Sequence, residues 1–329
     1  QASPAATPAT APGSQQGATN LWSSTGSEFG LSSPSDMAMA PDGTIWVADA
    51  GHNQFQLFSA DGAYLESWGT AGTGEGQFAL TDADGNGYGA IEFASDGSFL
   101  VLDAGNHRMQ RFSKDRTFTS EWGTNGRDAG QFVHPVAMAI DADDQIYVLD
   151  DIRSDIQIFA LDGTLVDQIA MSAHVRGANS MNALALDPSG NLYIAEASQN
   201  GSFNAVEKFD RTGTVIKQFG LEAGPGQLSN QAVQVAVDGA GNIFVAEIGN
   251  FIGNGTGTNP RVVIFAPDGS YLTQITGNGS TDEWFEIPFG LILDGNGNLF
   301  VTDYSAGLFL KFQLNPPLWP LDTPATPST

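Results

Sequence analysis

One pattern recurs six times along this chain: a turn rich in Asp, Gly and Asn, then a short apolar run that ends in an acid. Its instances are Thr44–Asp49, Ser98–Asp103, Gln145–Asp150, Asn191–Glu196, Asn242–Glu247 and Asn298–Asp303. The acids follow one another at roughly 50 residues, room for four short strands and their turns in each unit. Length alone would suggest two domains for 329 residues. The repeat overrides that, because repeat architectures grow by adding units to one body.

In the first unit the four strands a to d read Asp36–Ala40, Thr44–Ala48, Gln54–Ser59 and Ala63–Trp68, joined by tight Asp-Gly-type hairpins. Runs such as Met37 to Met39 and Ile45 to Val47 are apolar at successive positions, which suits a strand covered on both faces. The fold expected is an all-β, six-bladed β-propeller. The last unit supplies only strands a (Phe289–Asp294), b (Asn298–Thr302) and c (Gly307–Leu314) before Pro316 and Pro317. Residues Leu21 to Phe29 read as an isolated strand d plus linker. The N-terminal strand is therefore expected to complete the last blade, with Trp22 beside Phe309 to Phe312, and so remove a sheet edge.

Residues 1–19 form a Pro/Ala/Thr-rich tail, 20–315 the propeller, and 316–329 a Pro/Thr-rich tail. The opening at Gln1 in such a run reads as a mature terminus left by signal-peptide removal, so a secreted or cell-surface protein is expected. No stretch is apolar enough over about 18 residues to span a membrane as a helix. With 12 Lys and Arg against 37 Asp and Glu, the net charge of −25 argues against nucleic acid. Many of those acids sit in hairpin turns, among them Asp42, Asp61, Asp96, Asp162 and Asp268. There is no cysteine, hence no disulfide or thiolate metal site.

The segment Val101–Phe112, with Asp103-Ala-Gly-Asn106-His107-Arg108 at its centre, resembles the core of the NHL repeat. Val47–Gln54 keeps it with His52 and Asn53 in swapped order. The linkers from Trp68-Gly69 to Gly76-Gln-Phe78, Trp122-Gly123 to Gly130-Gln-Phe132 and Phe219-Gly220 to Gly226-Gln-Leu228 are similar to that family's connection between blades. The resemblance covers roughly residues 20 to 314 and implies a six-bladed propeller. Enzymes related to this fold, such as lactonases and the peptidyl-hydroxyglycine lyase domain, place metal ligands on the inner strands. The lyase set needs several histidines, and this chain has 4. His52 and His107 belong to repeat turns and His174 to a loop, which leaves His134.

Three groups of residues are candidates for chemistry. The strand-b acids Asp49, Asp103, Asp150, Glu196, Glu247 and Asp303 form a ring, but an acid there also accepts backbone N–H bonds of the following turn. The loop Thr81–Tyr88 places Asp82, Asp84 and Asn86 at alternate positions, followed by the Tyr88 carbonyl, like the first half of a calcium loop. Its twelfth position is Phe93, so Glu92 is the doubtful further ligand, and calcium is the cation expected. Glu92 also stands where the other inner strands carry Ala38, Ala139, Ala185 and Ala236, and a carboxylate there needs a partner or a function. Asp36, His134, Asn182 and Gln234 are the polar candidates at the channel mouth, while Ile287 and Phe289 are apolar. The insertions Thr81–Tyr88, Met171–Ser180, Ser198–Ala205 and Gly249–Arg261 all fall on one face.

The expectation is a non-catalytic extracellular module that binds a protein partner or copies of itself through this face and the tails. Trp319 and Leu321, apolar among prolines, would anchor the assembly. The alternative is a metal-dependent hydrolase or lyase, lactonase-like or peptidyl-hydroxyglycine-lyase-like, acting at the central channel.

Overall fold

The computed structural model describes residues 14–15, 18–24, 30–171, 179–198, 204–221, 223–228, 231–249, 259–276 and 287–315. Trp319 and Leu321 lie outside them. Six antiparallel sheets of strands a to d follow one another. Blade 1 is Pro34–Met39, Ile45–Asp49, Gln54–Phe58 and Tyr64–Trp68. Blade 2 is Ala90–Phe93, Phe99–Asp103, Arg108–Phe112 and Phe118–Trp122. Blade 3 is Pro135–Ile140, Ile146–Asp150, Asp155–Phe159 and Leu165–Ala170. Blade 4 is Asn179–Leu186, Leu192–Ser198, Asn204–Phe209 and Val215–Phe219, and blade 5 is Ala232–Val237, Ile243–Glu247, Arg261–Phe265 and Tyr271–Thr276.

Blade 6 closes the ring as its missing strand requires. Pro288–Leu293, Asn298–Asp303 and Leu308–Leu314 are completed by Ala18–Ser24, with Ser14–Gln15 added outside it. Asn20 pairs with Phe312 and Trp22 with Lys311, antiparallel, around a bulge. The chain's first strand thus covers the edge of its last, which would otherwise present unpaired backbone groups.

Stability comes from the surfaces between blades. Strand b is buried along its whole length in blades 1, 2, 3 and 5, because neighbours cover both faces. Six apolar clusters occupy the six interfaces among the described residues. One joins Trp46 and Phe55 of blade 1 to Phe99 and Phe112 of blade 2, and another joins Phe300 and Phe309 of blade 6 to Ile45 and Val47 of blade 1. The linker motif has a steric reason. Gly69 has φ +90°, and a Cβ there would lie 2.5 Å from the Phe78 ring. Gly123 stands in the same relation to Phe132, so Gly at the start and Phe at the end of the linker are one packing unit.

The strand-b acids act as clamps. Asp49 accepts the N–H of Ser32, which lies before strand a, while its other oxygen takes Gln54, Gln56 and His52. Asp103 takes Ala79 N–H in the same way, and Asp150 takes Val133 and His134. The structural role expected of these acids holds for them, but its main target is the incoming linker rather than only the following turn.

Candidate functional site

The inner strands a line a central channel, and each is an edge strand there, with N–H and C=O groups that no neighbouring strand takes up. Polar side chains take up some of them. Ser35, the bulged residue of blade 1, donates from Oγ to Gly89 O at 2.8 Å. Asn182, the bulged residue of blade 4, donates from Nδ2 to Ala232 O at 2.9 Å. Asp36 accepts the N–H of Ile91 on Oδ2 at 3.1 Å, and Gln234 accepts that of Val235 at 3.0 Å.

Glu92 makes no hydrogen bond among the described residues. It lines the same cavity of about 410 Å³ as Asp36, Asn182 and Gln234. Protein surrounds both carboxyls, although each keeps an edge open to the channel. Burial pushes Asp36 up to about 7 against the opposing Ile91 N–H. Burial, and then the charge of Asp36, push Glu92 up to about 8. Neighbouring blades therefore bring together two carboxyls that both exchange protons near neutral pH.

A second group lies at the mouth. His134 precedes strand a of blade 3, with Nδ1 2.6 Å from Asp151 Oδ1 and Nε2 3.4 Å from Asp82 Oδ2. The Tyr88 ring meets it edge-on at 4.8 Å. The hydrogen bond to Asp151 holds the imidazole above its ordinary value. Burial pushes Tyr88 up to about 12. His134 and Tyr88 are candidates by sequence and Asp151 is not, since its only signal is its place beside the strand-b acid Asp150.

The Thr81–Tyr88 loop closes on itself. Asp82 Oδ1 accepts the N–H groups of Asp84 and Asn86, and its Oδ2 takes the Asn86 amide at 2.9 Å. Burial works against the charge, yet these donors hold Asp82 below the usual carboxylate range. Glu92 faces Asp36 in the channel rather than this loop. Among the described residues no three His, Cys, Asp or Glu side chains gather as a metal-binding group. No described helix is long and apolar enough to cross a membrane.

These features define a closed β-propeller whose mostly apolar central channel carries a few polar side chains. The NHL repeat matches residues 31–58, the linker and first three strands of blade 1, and the chain is a six-bladed propeller carrying that repeat. Comparison with curated proteins finds no match. Among solved structures, virginiamycin B lyase from Staphylococcus aureus is similar at 13% identity and TM-score 0.56, covering 87% of this chain and 97% of its own. A gluconolactonase from Xanthomonas campestris aligns at 15% identity and TM-score 0.60, covering 87% of each chain. The PQQ-bound aldose sugar dehydrogenase of Streptomyces coelicolor aligns at 13% and 0.61, covering 93% of this chain and 100% of its own. At such identity the likeness shows the fold. Against the expectation of a non-enzyme, these three structures that share the fold are a lyase, a gluconolactonase and a sugar dehydrogenase.

Proposed function

We propose that this protein is a hydrolase or lyase working in the central channel, with Asp36 and Glu92 as its proton-transferring pair. The observation that carries the reading is Glu92: a carboxyl enclosed among apolar inner strands, without a hydrogen bond among the described residues, beside a second carboxyl. Edge capping accounts for Ser35, Asn182 and one oxygen of Asp36, and leaves Glu92 unexplained. A group that titrates at about 8 is poised to donate a proton at neutral pH. Asp36, titrating at about 7 and fixed by Ile91, is poised to accept one. The cavity suits a small organic substrate by volume, and Asn182 and Gln234 line it from the blades across.

The same pair fits a hard divalent cation such as calcium, held by Asp36 and Glu92. Among the described residues no His or Cys lines the cavity, so these residues offer no zinc set there. A calcium ion, when bound, would supply polarisation of a substrate carbonyl. The fold is shared with a lyase and a gluconolactonase, which supports this class. Purified protein assayed on a panel of lactones and esters tests the reading. Glu92→Gln and Asp36→Asn should each lower kcat by roughly 10²–10⁴-fold with the fold intact. Turnover that survives both substitutions would remove the channel from the chemistry.

A further inference from the structure

The cavity between the inner strands changes character along its length. Its polar side chains lie toward the linker end. Ser35 and Asn182 sit at strand-a bulges, Asp36 and Gln234 one residue further along their strands, and Glu92 two residues beyond that level. At the last pair before the a–b hairpin the side chain is apolar in every blade. Met39, Phe93, Ile140, Leu186, Val237 and Leu293 hold this one register position and form a collar. All six line the same cavity as the carboxyls. Among the described residues, no polar side chain lines that cavity beyond Glu92.

Interface packing does not account for the whole collar. Two residues earlier on each strand, side chains such as Met37, Ile91 and Leu184 are buried within the interfaces between blades. Each collar residue packs against the inner margin of a different interface and stays partly exposed. A closed band of apolar surface facing a bore that water can enter is stabilised by an apolar ligand. The carboxyl pair and the collar belong to one cavity, so a single molecule can occupy both.

We infer that the substrate of the proposed channel activity is a small amphiphile, a lactone or ester head on an unbranched hydrocarbon chain. The head lies between Asp36 and Glu92, and the chain runs through the collar toward the a–b hairpins. The inference rests on the proposed activity for the head, whereas the chain follows from the collar alone. From the level of Asp36 to the collar is three residues, about 10 Å of strand, so a chain of on the order of six carbons passes it. Ile140, Leu186 and Val237 also line a second cavity of about 240 Å³, which gives longer chains an exit.

Binding and turnover by the full-length protein test this separately. Lactams with unbranched chains of increasing length copy a lactone but resist hydrolysis. Calorimetry should show their Kd falling about threefold to fourfold per added methylene, then levelling off near roughly six carbons. Ile140→Thr combined with Val237→Thr puts two hydroxyls into the collar at similar volume, and should cut the gain below about twofold per methylene. Met39→Gln should do the same from blade 1, and serves if the double variant melts early. Glu92→Gln should keep the chain-length dependence of lactam binding while its turnover falls. Equal affinity across the series overturns the inference, as does a dependence that neither set of collar substitutions weakens. Absence of lactam binding at millimolar concentration overturns it as well. If turnover depends on Glu92 but is the same for every chain length, the collar is refuted and the activity stands. Turnover that survives Glu92→Gln, with chain-length dependence intact, counts against the carboxyl pair and for the collar.

Discussion

Glu92→Gln should make the folded protein more stable, and only at high pH. The unfolded chain releases this proton near 4.5, the folded protein at about 8. Between those values the folded state holds a proton that the unfolded state has lost, so raising the pH across this window destabilises the fold. At about 1.4 kcal/mol per tenfold change, the full window corresponds to as much as ~5 kcal/mol. Glu92 keeps an edge open to the channel, so water offsets part of this, and ~2 kcal/mol is a reasonable expectation. Glutamine has nearly the same shape and no charge to bury. Equilibrium urea unfolding of both proteins from pH 5 to 8.5 measures the difference directly. The curves should coincide near pH 5 and diverge steadily above it, with the variant the more stable. Parallel curves over the whole range would mean that Glu92 is ionised and satisfied in the folded protein. That result would refute the reasoning and, with it, the role of proton donor.

Deleting residues 1–24 removes the strand that pairs with Leu308–Leu314, and should lower the melting temperature and promote self-association, as light scattering would show. Arg108→Met leaves Asp103 buried without its guanidinium and should cost about 3–5 kcal/mol in urea unfolding. His134 is held above 6.5 by Asp151, so its stabilising effect is present below that value and fades as pH rises through the folded one. His134→Gln should flatten this dependence, and an unchanged pH profile would show that the imidazole is uncoupled from Asp151. Gly69→Ala places a methyl group against the Phe78 ring at a positive φ and should destabilise by about 1–3 kcal/mol, measured by thermal melting.

The architecture was legible because the repeat is local. Each blade announces itself by an apolar run, a turn and an acid within a few residues, and counting strands in the last unit shows that one is missing. What each acid holds was less legible. Ser32 N–H reaches Asp49 from 17 residues earlier, and Ala79 N–H reaches Asp103 from 24 earlier. Neither linker residue carries a signal, because any backbone N–H serves. Glu92 was visible as an anomaly among alanines, but its partner was not. The sequence assigns it to the neighbouring Asp82 loop, whereas the ring sets it against Asp36 of the preceding blade, 55 residues before its neighbour Ile91. Pairings between blades depend on how adjacent sheets are offset, which no single repeat encodes.

The channel shows how to tell a structural polar group from a functional one in this fold. Six inner edges face the axis, so some polar side chains are demanded there by the backbone alone. Ser35 and Asn182 meet that demand and are spent by it, each giving its proton to a carbonyl of a neighbouring blade. Gln234 is spent on its own strand. Asp36 is half spent, with one oxygen on Ile91. Glu92 answers no backbone group and lies two residues deeper than the level of Asp36, where Ala38 and Ala139 show that a methyl group suffices. A carboxyl raised to about 8 reduces folded stability at neutral pH and above. Such a cost at a position where alanine packs without difficulty is what a group kept for chemistry looks like, which supports the proposed site on the axis.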